Sequence, residues 1–390
     1  MKVLITEANH KNSLAAARAL AKEGIEIYLS ESHNSYNFYS KYCKEHFIYT
    51  NPEQEMQFIN DIINYVNEKH IDLVIPIGIS TNTILSKNKI IISRATKIFI
   101  SDYDVFLRAH DKSKTIEMAS SLNIPIPITY EIKNLNDIKN KIHKIKYPFV
   151  IKATKGSGYS GVKIINDEKE IEKKFFELQD SGKCSDIYNN DILLLQEYIS
   201  GSIYDVCLIA EKGEIKSVLT QKRIRTLPVS GGGGIWNETI YCPQLIEYSE
   251  KLIKKLNYTG PAQVEFKMDS NNNPRLMEIN PKFWGTLELS IKAGFNFPKI
   301  IVEIILGKFD SQKYQIKNIP KSQFIWIFPY QIVYFIKTTQ KKRYIKDFIK
   351  ALQNGFYHEV DIHDLKPHIF QVVFSIISLF KADVYKKINR

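Results

Sequence analysis

The chain has 390 residues, of which 44% are apolar and 25% charged, long enough for two or three domains with proper cores. Its 17 glycines and 14 prolines are too few for a collagen-like or linker-dominated chain. Four cysteines (Cys43, Cys184, Cys207, Cys242) stand far apart without a CxxC pair, which argues against a disulfide framework or a structural zinc site.

Net charge is +12, yet residues 310–390 alone hold 14 Lys and Arg against 6 Asp and Glu. The rest of the chain is nearly balanced, so the total does not read as a nucleic-acid binder. The opening apolar stretch, Val3 to Thr6, is closed by Glu7 and is too short for a secretory leader. No run approaches the ~18 apolar residues of a membrane span. A soluble, cytoplasmic protein is expected.

Residues 2–6 read as a buried strand, and 13–23 as a helix with Ser13 as N-cap and Gly24 as its stop. A strand over 25–30, a helix over 53–69 and the strand IDLVIPIG continue the alternation of a parallel α/β domain, residues 1–108. The turn EANHKNS lacks the GxGxxG fingerprint, which disfavours dinucleotide binding.

A Lys-bearing helix (DKSKTIEMASSL) follows, then KYPFVIKATKGSGYSGVKII, which reads as strand, Gly-containing loop and strand. No Walker P-loop is present, because no GxxxxGK[ST] opens a helix. Further strands are predicted at LLLQEYISG and across 204–228 with a GE-type turn, then a helix over 245–257. PAQVEFKMDSNNNPRLMEINP reads as a hairpin around Asn271–Pro274.

Chemistry concentrates in three places. Glu278 and Asn280, two residues apart on a strand, share a sheet face, and the hairpin return brings Glu265 beside them. Two carboxylates and an amide oxygen converging inside apolar strands suit Mg²⁺ bridging nucleotide phosphates; the alternative is a solvated polar face. Lys152 ends an apolar strand before the glycine loop 156–161, whose backbone N–H groups can turn toward an anion; an ordinary Gly-containing hairpin is the other reading. Lys112, behind Asp111 at a helix start, is the third place; taken alone, a lysine there is usually solvated. No Ser/His/Asp or Cys/His arrangement for nucleophilic catalysis is evident.

The order DK helix, PFVIK with its Gly loop, QEYISG, and VEF…MEINP resembles the ATP-grasp superfamily over roughly residues 1–308. RIRTLPVSGGGG and EINPKFWGTLELSIKAGFNFP look most similar to carbamoyl-phosphate-synthetase-like carboxylate–amine ligases. The resemblance implies an α/β chain, α+β in its grasp region. Its parts would be a Rossmann-like pre-ATP-grasp domain (1–108) and a two-lobed ATP-grasp domain (109–309, with a lid lobe at 109–195 and a metal-binding lobe at 196–309); the basic extension 310–390, expected to be helical, falls outside the resemblance.

By the same resemblance, Lys112 and Lys152 would contact the α- and β-phosphates of ATP, with Gly156, Ser157, Gly158 and Gly161 folding over them. Gln196 would face the adenine amine, and Glu197 and Ile199 would offer backbone groups to the adenine edge. Glu265, Glu278 and Asn280 would hold one or two Mg²⁺, with Mn²⁺ able to substitute. Two departures stand out. Ile203 occupies the place of a ribose-binding Glu, which Asp205 would replace. Lys282 stands where the motif usually has Arg, and loses its bidentate fork. Arg223 and Arg225, at i and i+2 on a strand, are candidates to supply it; a surface strand of alternating charge is the other reading. The run Gly231–Gly234 reads as a mobile active-site loop or a long turn, and Phe283 and Trp284 read as core, with a wall of the acceptor pocket as the other reading.

The implied reaction is phosphorylation of a small-molecule carboxylate to an acyl phosphate, followed by attack of an amine to form an amide or peptide bond. Peptide or surface-polysaccharide biosynthesis is the implied setting. The other readings are an enzyme using ammonia or bicarbonate, and a catalytically inactive nucleotide-binding or membrane-associated module. The tail, with FIWIFPYQIVYFIK and HIFQVVFSIISLF flanked by lysines, either packs on the ligase body or makes a peripheral membrane contact.

Overall fold

In the computed structural model, which describes residues 1–156, 161–179, 192–228, 231–312, 314 and 319–379, Lys2–Ile5 is the middle strand of a five-stranded parallel sheet. Its order is Cys43–Ile48, Glu26–Glu31, Lys2–Ile5, Leu73–Ile75, Lys97–Ile98. Val3, Leu4, Ile5, Leu73 and Val74 are fully buried, as expected where helices cover both faces of a parallel sheet. Glu7 adopts a positive φ of 55° directly after the first strand, and the helix that follows, Lys11–Ala21, starts earlier than predicted. Ser13 therefore lies inside this helix rather than capping it, and its hydroxyl donates to the Glu7 carbonyl at 2.7 Å.

The chain divides into two units. One joins Met1–Phe99 to Gly285–Phe309 and Phe324–Arg390; the other is Ile100–Trp284 with Asp310–Gln323. Within the first unit the tail forms helices Tyr330–Lys337, Lys341–Asn354 and Lys366–Leu379. A buried ion pair ties it to the parallel domain. Arg18 Nε donates to Asp364 Oδ2 at 2.9 Å, and Asp364 also accepts from the Ser40 hydroxyl and the Lys41 N–H. Every oxygen of this carboxylate has a donor, the condition under which a buried charge is tolerated.

The second unit holds two antiparallel sheets. The smaller has the order Thr129–Ile132, Leu193–Glu197, Phe149–Ala153, Val162–Ile165, with Ile138, Phe175 and Leu178 in its core. The larger runs Pro274–Asn280, Gly260–Met268, Ile203–Glu211, Glu214–Leu227, Gly233–Ile240. Helix Pro243–Leu256 packs Leu245, Leu252 and Ile253 against Val206, Leu208, Val264 and Phe266. The turn after Ile203–Glu211 is Lys212–Gly213, both at positive φ, the pattern of a two-residue hairpin whose twist matches its strands. Gly233 and Gly234 belong to the strand after the glycine run, so half of that run is sheet rather than loop.

Candidate functional site

Cross-strand register assembles the acidic row. Asp205 lies opposite Glu265, and Glu265 opposite Glu278, as the hairpin reading predicts for the last two. Like charges facing one another across strands repel, so cations must stand among them. Arg223, from the neighbouring strand, supplies one. Its Nε and Nη2 donate to the two oxygens of Asp205 at 3.0 and 2.6 Å, and Nη2 also reaches Glu265 Oε2 at 2.5 Å. Nη1 donates to the Gly232 carbonyl at 2.6 Å.

Lys112 and Lys152 supply charge on the opposite side. Asp111 caps helix Lys112–Ser121 by accepting from the Ser113 N–H. The Lys112 backbone N–H donates to the Thr154 carbonyl at 2.8 Å. This leaves Lys112 Nζ 3.1 Å from Glu278 Oε2 and 2.8 Å from the Gly156 carbonyl. Lys152 is buried in its strand, with Nζ 3.5 Å from the Met277 carbonyl. Burial, reinforced by Lys112, lowers the Lys152 pKa to about 8.

The two hairpin glutamates diverge. Burial pushes Glu265 up to about 7 against the pull of Arg223. Burial acts in the same sense on Glu278, but Lys112 and Lys152 outweigh it and hold that carboxyl at about 2. One carboxylate is thus firmly charged beside two ammonium groups, and Asn280 Nδ2 orients it by donating to Glu278 Oε1 at 2.9 Å. No trio of His, Cys, Asp or Glu side chains among the described residues is arranged to hold a metal by itself. Two carboxylates and an amide stand together here, oxygen donors of the kind that suit an ion completed by phosphate oxygens and water.

On an inner strand of the smaller sheet, between Thr129 and Val150, Gln196 is buried. Its Nε2 donates to Thr129 Oγ1 at 2.8 Å, while Oε1 has no hydrogen-bond partner among the described residues. Such an orphaned acceptor fits an incoming amino group. The Glu197 N–H is used by the Ile128 carbonyl, and the Ile199 carbonyl accepts from Lys267 Nζ.

Three expectations need correcting. Asp205 is fully buried and committed to Arg223 and Gln221; it belongs to the acidic row and offers no open edge to a ribose. Arg223 and Arg225 do not act together, because a register shift between them breaks the two-residue alternation. Arg223 turns to the carboxylates, whereas Arg225 stacks on the Trp236 ring at 4.3 Å. Arg223, with its fork engaged by carboxylates and a carbonyl, holds the row together rather than replacing the missing Arg. Lys282 is partly buried beyond Asn280 and contributes positive charge near His110. Gly161 directly precedes the second strand of the glycine hairpin, Val162–Ile165; Ser157 and Gly158 lie outside the described residues. Phe283 and Trp284 are buried core.

Two residues escaped the sequence reading. His110 accepts from the Gly156 N–H through Nε2 at 3.3 Å, anchoring the start of the glycine loop, and its only signal was adjacency to Asp111–Lys112. Asn237, paired in register with Arg223, is buried with both amide atoms lacking partners among the described residues; nothing in its local sequence marks it.

Known proteins resemble this chain in sequence and in fold. Residues 111–204 match the family model "Carbamoyl-phosphate synthase L chain, ATP binding domain", and residues 189–325 match "ATP-grasp in the biosynthetic pathway with Ter operon". The carbamoyl phosphate synthase large chain of Clostridium acetobutylicum is 22% identical over 65% of this chain, which spans only 24% of that relative. Among solved structures, the L-amino acid ligase of Bacillus licheniformis superposes with a TM-score of 0.64 at 15% identity, covering 83% of this chain and 78% of that one. The biotin carboxylase domain of Hydrogenobacter thermophilus 2-oxoglutarate carboxylase, solved with MgADP and bicarbonate, gives a TM-score of 0.64 at 18% identity, covering 80% and 72%. The two family models together span residues 111–325, which include Lys112, Lys152, Glu265 and Glu278, and the chain belongs to the ATP-grasp superfamily.

Proposed function

We propose that the chain is an ATP-dependent carboxylate–amine ligase. It would phosphorylate a small carboxylate and couple the acyl phosphate to an amine, as in peptide or surface-polysaccharide biosynthesis. The observation that carries this reading is the convergence of Lys112 and Lys152 on Glu278, beside Glu265 and Asn280. A site that only bound a neutral ligand would gain nothing from two buried ammonium groups and two carboxylates on one sheet face.

Glu265, Glu278 and Asn280 offer the oxygen donors that Mg²⁺ prefers, and would hold it against the phosphates of ATP. A carboxylate is a poor acyl donor because its leaving group would be oxide; phosphorylation supplies a better one. When bound, the metal neutralises developing phosphate charge. The chain's own share is positional. Lys112 and Lys152 present cations from a helix start and a strand end, Gln196 offers an acceptor to the base, and Arg223 keeps Glu265 in the row. Preorganised charge of this kind is the main catalytic resource in phosphoryl transfer.

The similarity to an L-amino acid ligase favours an amino-acid carboxylate and amine. Similarity to a carbamoyl phosphate synthase and to a biotin carboxylase domain solved with bicarbonate keeps bicarbonate as the second acid to test. The test is ADP release from ATP and Mg²⁺ against amino acids singly and in pairs, with bicarbonate and ammonia in the same panel. Release that needs one carboxylate and rises with one amine supports the ligase. Release driven by bicarbonate transfers the reading to a carbamoyl-phosphate-like reaction. Silence, with ATP giving no thermal stabilisation, overturns both.

A further inference from the structure

The tail is built around helix Lys341–Asn354, which carries two apolar stripes. Tyr344, Phe348 and Ala351 form the inner one. Tyr344 stacks on Tyr334 and Phe348, Phe348 meets Phe356, and Ala351 is buried. The second stripe is displaced by one residue, about 100° around the helix, and consists of Ile345, Ile349 and Leu352. These three are 48%, 50% and 58% exposed, and nothing inside the fold requires them to be apolar. A further residue on, Lys342, Lys346 and Lys350 recur at four-residue spacing, all exposed. Around the helix the order is thus packed face, bare apolar stripe, basic stripe.

Neighbouring tail helices also expose apolar pairs. Ile332 and Ile336 on helix Tyr330–Lys337, and Ile369 and Val373 on Lys366–Leu379, are exposed at four-residue spacing. No helix among the described residues is long and apolar enough to cross a membrane. A short helix with an apolar stripe bordered by lysines instead lies in the plane of a bilayer surface, stripe in the acyl boundary and ammonium groups among anionic headgroups.

We propose that the face made by Ile345, Ile349 and Leu352 with Lys342, Lys346 and Lys350 docks on an anionic lipid surface. Charge selects this occupant over a second copy of the chain. A symmetric contact would set the basic stripe against its own like, whereas residues 310–390, at 14 basic to 6 acidic residues, are complementary to anionic headgroups.

The experiment is co-sedimentation of the full chain with phosphatidylcholine–phosphatidylserine vesicles and with phosphatidylcholine vesicles, at low and raised ionic strength. The expected result is binding to the anionic vesicles that weakens with salt. Combining Ile345→Ser, Ile349→Ser and Leu352→Ser should lower it at least about tenfold. Lys346→Ala and Lys350→Ala, which touch no packing, should each lower it about fivefold. Thermal melts of all variants should match the parent. Equal binding to both vesicle types, absence of binding, or variants that bind like the parent would overturn the proposal. Sedimentation equilibrium showing lipid-free self-association, lost in the triple variant and without vesicle binding, would assign the face to a contact between copies instead.

Discussion

Lys112 Nζ lies 3.1 Å from Glu278 Oε2, joining the first turn of a helix to the returning strand of a hairpin more than 160 residues away in sequence. The contact sets the electrostatics of the candidate site: with Lys152, Lys112 holds Glu278 charged where burial alone would neutralise it.

Glu278→Gln keeps the shape but removes that charge and leaves one acceptor where Lys112 and Asn280 each use one. ATP turnover should fall at least about a hundredfold, while ATP still raises the melting temperature through the remaining contacts. Turnover within a few fold of the parent would exclude Glu278 from the metal-binding set.

Asp205 and Arg223 are buried partners, and removing one strands the other. Asp205→Asn should destabilise the fold by about 3 kcal/mol in urea titrations. Combined with Arg223→Met it should cost clearly less than the sum, a coupling above about 1 kcal/mol. Strict additivity would mean that the pair contributes nothing as a pair.

His110 is buried, and its pKa is lowered to about 3, chiefly by burial and then by Lys112. The folded value lies below the unfolded one, so acid unfolded chains take up a proton that the native state refuses. The contribution is fully present above the unfolded pKa and is lost as pH falls toward 3. Between about pH 7 and about pH 5 this residue alone should cost about 2 kcal/mol. His110→Gln should flatten that part of the stability profile; an unchanged slope would show that His110 protonates freely in the folded chain.

Gly201 sits at φ +145°, and a Cβ there would lie 1.8 Å from the Met268 carbonyl oxygen. Gly201→Ala must therefore move backbone and adopt a conformation that L side chains avoid. A loss of about 3 kcal/mol is expected, together with weaker ATP stabilisation, because this turn follows Ile199, whose carbonyl Lys267 holds. A melting temperature equal to the parent's would show that the two segments separate easily.

Much of the architecture was legible because it depends on short-range periodicity. Alternating apolar strands and Ala- or Leu-rich helices located three of the five strands of the parallel sheet; the edge strands Cys43–Ile48 and Lys97–Ile98 carry no comparable apolar run. Two-residue spacing put Glu278 and Asn280 on one face, and a single turn signal near Asn271 set Glu265 against Glu278.

What the sequence could not decide depends on register and long-range partners. Reading Asp205 as a ribose contact counted along one strand; pairing with Glu265 and Gln221 across the sheet turned it into an anchor for Arg223. A bulge of one residue sent Arg223 and Arg225 to different partners, and no propensity marks such a shift. His110 gains its contact with Gly156 only where a helix end meets a strand end. The return of the tail to the first unit rests on Arg18 and Asp364, whose charges are tolerable in the interior only because tertiary packing brings them together. Local pattern determines which elements form. Which carboxylates are free to meet a cation, and which are already neutralised, is decided by strand register and by the burial that makes each unpaired charge costly.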